Sequence, residues 1–358
     1  MATPVTNTTD TPPATGGVSA SQITELPATA LIGADGQPRF GHFTGPVTDL
    51  QLSQFDYRTI MDKPASQLAR YFHFKQFQFV SLSHADWQIG IAIADIRYVA
   101  NGFCYFYNRK TAQLDEISLL KPFSVGVSMS PSPVAGSAFL GGKQQIQLTP
   151  QGLNWHVALT GSLLQGEFTL TAEADSMPLA LCTPTGYNGW TYTQKHNALQ
   201  VAGQLQYRNT ELDLTSALAG YDFSAGYMRR ETSWRWGSIS ALLPQGRFGL
   251  NLACGVNETG STENCLWLNG VKHLLPAVSI RLNRQQPALP WHYYSENGAI
   301  DLHFNPQQCR RERLNLGFLA SNFRQYCGNF TGSISLPNGE KLQLDQIPGL
   351  GEDHFARW

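Results

Sequence analysis

Three Asn-Gly dipeptides, at Asn269-Gly270, Asn297-Gly298 and Asn338-Gly339, each stand between runs in which apolar and polar residues alternate. A two-residue type I′ turn needs positive φ at both central positions, and Asn-Gly is the pair that supplies it most readily. Alternation with period two puts one face of a run against a core and the other outside it. The chain is thereby constrained to antiparallel meanders. Residues 167–173 and 299–304 alternate in this way, and residues 248–256 and 263–268 flank a polar loop at 257–262 as a hairpin would. Residues 87–99, 102–108 and 198–208 read as further strands. The aromatic-rich stretch 70–83 also reads as a strand, and its alternation slips near Lys75-Gln76, which suggests a bulge. Helical periodicity is confined to short stretches near 53–62 and 213–219. The class is all-β, a sandwich or barrel with few short helices.

The 358 residues suffice for two domains of ordinary size. Residues 1–25 are polar and Pro/Gly-rich and are expected to be disordered. The Pro/Gly-rich stretch 182–190 is the expected changeover between a first β domain, 26–190, and a second, 191–358. Charged residues are 14 % of the chain, against the roughly 25 % usual for soluble domains, while aromatics reach 11 %. That balance suits a β protein with a large internal surface.

Composition also excludes partners. Net charge is −1 and the one basic cluster outside the aromatic strand, Arg310, Arg311 and Arg313, is too small for a nucleic-acid footprint. No apolar run approaches the ~18 residues of a membrane span, and residues 89–96 read as a buried strand. The six cysteines form no Cys-x-x-Cys pair, and residues 1–20 carry no secretory pattern, so reduced thiols in a cytoplasmic protein are the simplest expectation. Cys254 and Cys265 flank a hairpin loop and could bridge, but free buried thiols are favoured. No nucleophile elbow, zincin, P-loop or dinucleotide fingerprint is present, and neither a cofactor nor a metal is expected.

Candidate site residues begin with the stretch 226–236, which holds three arginines and two tryptophans. As a strand it puts Arg230, Thr232, Trp234 and Trp236 on one face, a mixed cationic and aromatic wall on which Arg230 would bind a ligand carboxylate. Indoles are buried on average, so core packing competes with ligand contact for each tryptophan. Tyr227 lies at the start of the stretch. Asn251 and Asn264 are polar positions around the 248–268 hairpin, where Glu263 could be an acid poised in a low-dielectric site. The terminal Glu352-Asp353-His354 could supply acid and base groups, with Glu352 and His354 on one side and Asp353 on the other. Two ligands on one face are too few for a metal without help from elsewhere, and nothing in the sequence brings the possible helpers His303 and His156 near. A closing strand with Arg357 as ion-pair partner is the structural alternative.

The 226–236 stretch, residues 249–252, Thr262-Glu263-Asn264 with Trp267 and Gly270, residues 301–304 with Pro306, and the terminal octet 351–358 resemble the family known as domain of unknown function 2804. Lys75 and residues 91–98 fit the same pattern, so the resemblance covers nearly all of the chain after residue 30. Arg235 departs from it, standing where an amide is expected. The resemblance implies a fold similar to the lipocalin-like (calycin-type) double barrel of tocopherol cyclase and hydroxyneurosporene synthase, whose members handle apolar isoprenoid-like substrates inside a barrel. It implies a fold and not a reaction.

Three functions follow as expectations. The first is an enzyme that protonates an apolar or amphipathic small molecule in a β-barrel cavity, leading to hydration, cyclisation or isomerisation, with Glu263, Glu352 and His354 as catalytic candidates and Arg230, Trp234, Trp236, Tyr227, Asn251 and Asn264 as ligand contacts. The second is a carrier of a lipid-like ligand without chemistry. The third is a carbohydrate-active β protein, because Trp and Tyr also stack on sugars.

Overall fold

A computed structural model describes residues 24–257, 260–336 and 338–358. The stretch expected to be disordered lies outside the described residues up to position 23. Two antiparallel sheets hold the strands of the described residues, the first curled into a nearly closed barrel and the second into a half-barrel. The first runs Gln113–Pro122, Val99–Asn108, Trp87–Asp95, Phe74–Ser83, Leu218–Tyr227, Gly189–Tyr207, Leu164–Thr171, Asn154–Gly161, Gln144–Gln151, Ala138–Leu140, Val127–Met129. The second runs Val271–Leu274, Cys265–Leu268, Gly246–Cys254, Glu231–Leu243, Lys341–Arg357, Ala320–Ser335, Ile300–Asn315, Trp291–Tyr294, Ser279–Arg281.

One of the three Asn-Gly pairs takes the geometry of a two-residue type I′ turn. Asn269 and Gly270 both have positive φ, 50° and 79°, and join Cys265–Leu268 to Val271–Leu274. Gly298 and Gly339 take φ of 70° and 85°, but Asn297 does not share the positive φ, and the Gly298 N–H donates to the Ser295 carbonyl, so that connection is a longer turn than the two-residue one expected. The six cysteines are free thiols.

Two local expectations are corrected. Residues 67–73 form an α-helix, with the Ser66 side chain accepting from the Ala69 N–H as N-cap, so the slip at Lys75-Gln76 is the junction between helix and strand and not a bulge. Phe74–Ser83 pairs without interruption on both sides. Residues 213–219 form a turn that leads into a strand, with the Asp213 carboxylate capping the Thr215 N–H, where a helix was expected. The sheets change over between Tyr227 and Glu231, so Gly189–Tyr207 and Leu218–Tyr227 belong to the first sheet. The Pro/Gly-rich stretch at 182–190 turns the chain within that sheet, between Leu179–Thr185 and Gly189–Tyr207.

The barrel interior is a packed core. Trp155, Trp190, Tyr192, Phe43 and Phe168 are fully buried there. The half-barrel has a separate core built on Phe248, Trp291, Tyr293, Phe304 and Phe330. A third cluster, with Phe79, Phe103, Trp236 and Phe323, lies where the outer face of the barrel meets the half-barrel.

One bulge fixes how the sheets meet. Pairing of Gly189–Tyr207 shifts between His196 and Leu199, with Ala198 at φ 61°. Asn197 projects across the seam, donating to the Leu250 carbonyl at 2.6 Å and to Ser238 Oγ at 3.0 Å, while the Ala198 N–H donates to Ser240 Oγ at 3.0 Å. Gly249 is required beneath it, because a Cβ there would stand 2.8 Å from Asn197 Cβ and 3.0 Å from its backbone carbon. Gly249→Ala is expected to destabilise the protein by about 1–3 kcal/mol through overpacking, read from the urea midpoint.

Candidate functional site

Strand register builds both walls of a cavity between the sheets. On the barrel's outer face one cross-strand row reads Lys195, Asp222, Phe79, Ala92, Phe103, and the next reads Thr193, Ser224, Phe77, Ala94, Asn101. On the half-barrel the facing rows read Trp236, Glu352, Gln325 and Trp234, His354, Phe323. Rings meet across the gap: Phe79 and Trp236 edge-on at 5.9 Å, and Phe103 and Phe323 tilted at 5.8 Å. They enclose a cavity of about 210 Å³ lined chiefly by apolar side chains. The chamber is therefore an inter-sheet space and not the lumen of the barrel.

Glu352 is the acid of this chamber. Its Oε1 accepts from Trp234 Nε1 at 2.7 Å and its Oε2 from Gln325 Nε2 at 2.8 Å, and Gln325 Oε1 accepts in turn from Tyr105 at 2.8 Å. Burial pushes its carboxyl up to about 7, against the pull of those two donors and of Lys195. Each oxygen keeps a second lone-pair position for a proton.

A charged triad lies alongside. Lys195 pairs with Asp222, and with Glu263 at 3.4 Å, all three being buried. Burial alone would lower the Lys195 amine, but the two carboxylates hold it above its ordinary value. Burial raises Glu263, opposed by Lys195. The ammonium also lies 6.0 Å from the Trp236 ring centroid.

His354 contacts Ser321 Oγ through Nε2 at 3.1 Å and packs edge-on against Trp234 and Phe323 at 4.3 Å and 5.0 Å. Burial pushes it down to about 3, with Arg310 adding to the effect, so the imidazole is neutral near pH 7. Toward the far end, Arg310 lies with its guanidinium carbon 3.7 Å from the Phe103 centroid. It pairs with Glu312 at 2.9 Å and Glu116 at 3.2 Å, and Asn101 donates to Glu312 at 2.6 Å. Lys75, on the barrel wall, donates to the Phe72 and Ile96 carbonyls, and burial lowers its amine to about 7.

The other sequence-derived candidates fall in different places. Trp234 and Trp236 face the cavity, as the alternation requires, and Trp236 Nε1 donates to Asn251 Oδ1 at 2.6 Å, which makes Asn251 a support for the indole. Asn264 accepts from the Ala253 N–H and donates to the Pro276 carbonyl, holding the loop before Cys265–Leu268. Arg230 is exposed at the corner between the sheets, because the strand starts only at Glu231; its carbonyl accepts from the Trp358 N–H. Tyr227 points into the barrel core, 4.4 Å from the Tyr57 ring. Arg235 lies on the face opposite the indoles, paired with Asp353 at 3.5 Å, and Arg357 pairs with Glu231. His303 lies with His292 and Asp301 on exposed sheet surface, and His156 is 3.7 Å from Glu167 on the barrel.

Lys195, Asp222, Gln325 and Arg310 were not among the sequence candidates. Lys195 and Asp222 did leave a signal, since each is the lone charge inside its otherwise uncharged strand. A charge in such a run needs a partner.

The fold and the chamber define an all-β, two-sheet protein with an apolar cavity and a buried acid in its wall. The chain belongs to the family described as Domain of unknown function (DUF2804), whose model matches residues 20–358. Among solved structures the chain is similar to a protein assigned as an AttH from Nitrosomonas europaea, with 12 % identity, covering 80 % of this chain and 92 % of that one, at a TM-score of 0.46. It is also similar to kievitone hydratase from Nectria haematococca, with 10 % identity, covering 79 % and 88 %, at a TM-score of 0.49. No curated protein matches the chain. Among the described residues no helix is long and apolar enough to cross a membrane.

Proposed function

We propose that the inter-sheet cavity binds an apolar or amphipathic unsaturated small molecule and that Glu352 acts on it as general acid. The observation that carries this is a carboxyl group in an apolar chamber with its pKa lifted to about 7, where it holds a proton and can release it. Glu352 gives its proton to a carbon of a double bond or to a carbonyl oxygen. The resulting cation is flanked by the Trp234 and Phe323 rings and by neutral His354, which line the chamber. Attack by water or by a group within the ligand, or loss of a neighbouring proton, completes hydration, cyclisation or isomerisation, and a proton returns to Glu352. The carboxylate left in between keeps its two N–H donors, Trp234 and Gln325. No cofactor enters these steps.

Occupancy is tested by filling the chamber. Ala94 lines it, and Ala94→Phe is expected to weaken binding of an anilinonaphthalene sulfonate probe by about tenfold or more, a loss of about 1.4 kcal/mol. Native mass spectrometry of gently purified protein should show a bound apolar small molecule in the wild type and none in the variant. Equal probe affinity in both proteins would remove the cavity from consideration. Ligand binding with no chemistry on any unsaturated compound would reduce the protein to a carrier.

A further inference from the structure

Away from the cavity, three metal-ligating side chains converge on the solvent side of the half-barrel. His292 and His303 are directly opposed in the register of Trp291–Tyr294 and Ile300–Asn315. Asp301 precedes His303 by two residues and so projects to the same side. The two imidazoles stack in parallel, with centroids 4.7 Å apart and planes 5° apart. His292 Nε2 lies 2.8 Å from Asp301 Oδ1. One ligand atom from each residue falls within 4.8 Å of the other two.

We propose that His292, Asp301 and His303 form a binding site for a borderline divalent transition metal, Zn²⁺ being the probe of choice. Two imidazoles and one carboxylate are donors that such ions select, at about 2.0–2.2 Å each. Coordination requires the two imidazoles to turn out of their parallel stack so that a nitrogen of each converges with Asp301, a side-chain movement at the sheet surface on fixed backbones. On the opposite side of the same strands Trp291, Tyr293, Leu302 and Phe304 are fully buried, and this locks the register that sets the ligand spacing. Water completes the coordination shell on the open side. Arg281 is the register partner of His292 and lies over the Tyr294 ring at 4.7 Å, so one cation borders the site and opposes a bound metal ion. The site depends on nothing in the cavity.

Calorimetric titration of the full chain with Zn²⁺ is the test, alongside Co²⁺ spectra. The wild type is expected to bind with a micromolar Kd and to show Co²⁺ bands without the thiolate charge transfer that cysteine ligation would give. His303→Ala and Asp301→Asn, both exposed and so compatible with folding, should each weaken binding by about tenfold or more. Loss of less than tenfold in His303→Ala, a thiolate band, or no wild-type binding at a Zn²⁺ concentration of about 100 μM would each overturn the site.

Discussion

Replacing Glu352 by Gln is expected to abolish proton transfer to a bound ligand and, above neutral pH, to make the protein more stable. The amide keeps an oxygen to accept from Trp234 Nε1 and carries no charge to desolvate. A positioned general acid contributes about 10²–10⁴-fold, so deuterium uptake from D₂O into an unsaturated ligand should fall by that factor while probe binding persists. In the wild type, activity should decline as pH rises through about 7, where the acid form is lost. The stability effect has a defined sign. Between the ordinary carboxyl value of 4.5 and about 7 the native chain holds a proton that the unfolded chain has lost. The stabilisation from that proton is complete below 4.5 and is lost as pH rises through 7. A shift of this size corresponds to about 3 kcal/mol. Urea midpoints for wild type and Glu352→Gln should therefore converge near pH 4.5 and separate at about pH 8, with the variant the more stable. A gap independent of pH would show that Glu352 is not the perturbed acid.

Lys195→Met should produce a large loss of stability. The substitution leaves Asp222 and Glu263 buried with no cation between them. Removing one partner from a buried ion pair typically costs about 3–5 kcal/mol, because the remaining charge has neither water nor counter-ion. The triple variant Lys195→Met, Asp222→Asn, Glu263→Gln removes every charge of the cluster and should recover much of that loss. Urea unfolding of the single and triple variants decides it. A single variant within about 1 kcal/mol of wild type would mean that water reaches the triad.

The strand pattern was legible because a side chain's face depends on local alternation alone. Trp234, Trp236, Glu352 and His354 were placed on their correct sides for that reason, as was Asp353 opposite them. The location of the cavity was not legible, because it depends on which outer faces meet, and alternation is silent about partners of a whole sheet. Lys195 and Asp222 oppose one another only through the pairing of Gly189–Tyr207 with Leu218–Tyr227. Arg230 was misplaced by extending the alternation one residue past the corner where the chain leaves the barrel. The helix at Gln67–His73 was hidden by its aromatic content, although Ser66 marked its start.

The bulge at Asn197-Ala198 has a consequence for ligand choice. The chamber's two walls belong to different sheets, so its width is the distance at which those sheets are held apart. Asn197, seated against Gly249 and bonded to Ser238 and Leu250, acts as a spacer between them. None of these four residues lines the chamber. Exchange of a small residue for a larger one at this spacer would press the sheets apart without changing which residues form either wall, so the size of ligand accepted can drift while the composition of the walls stays fixed.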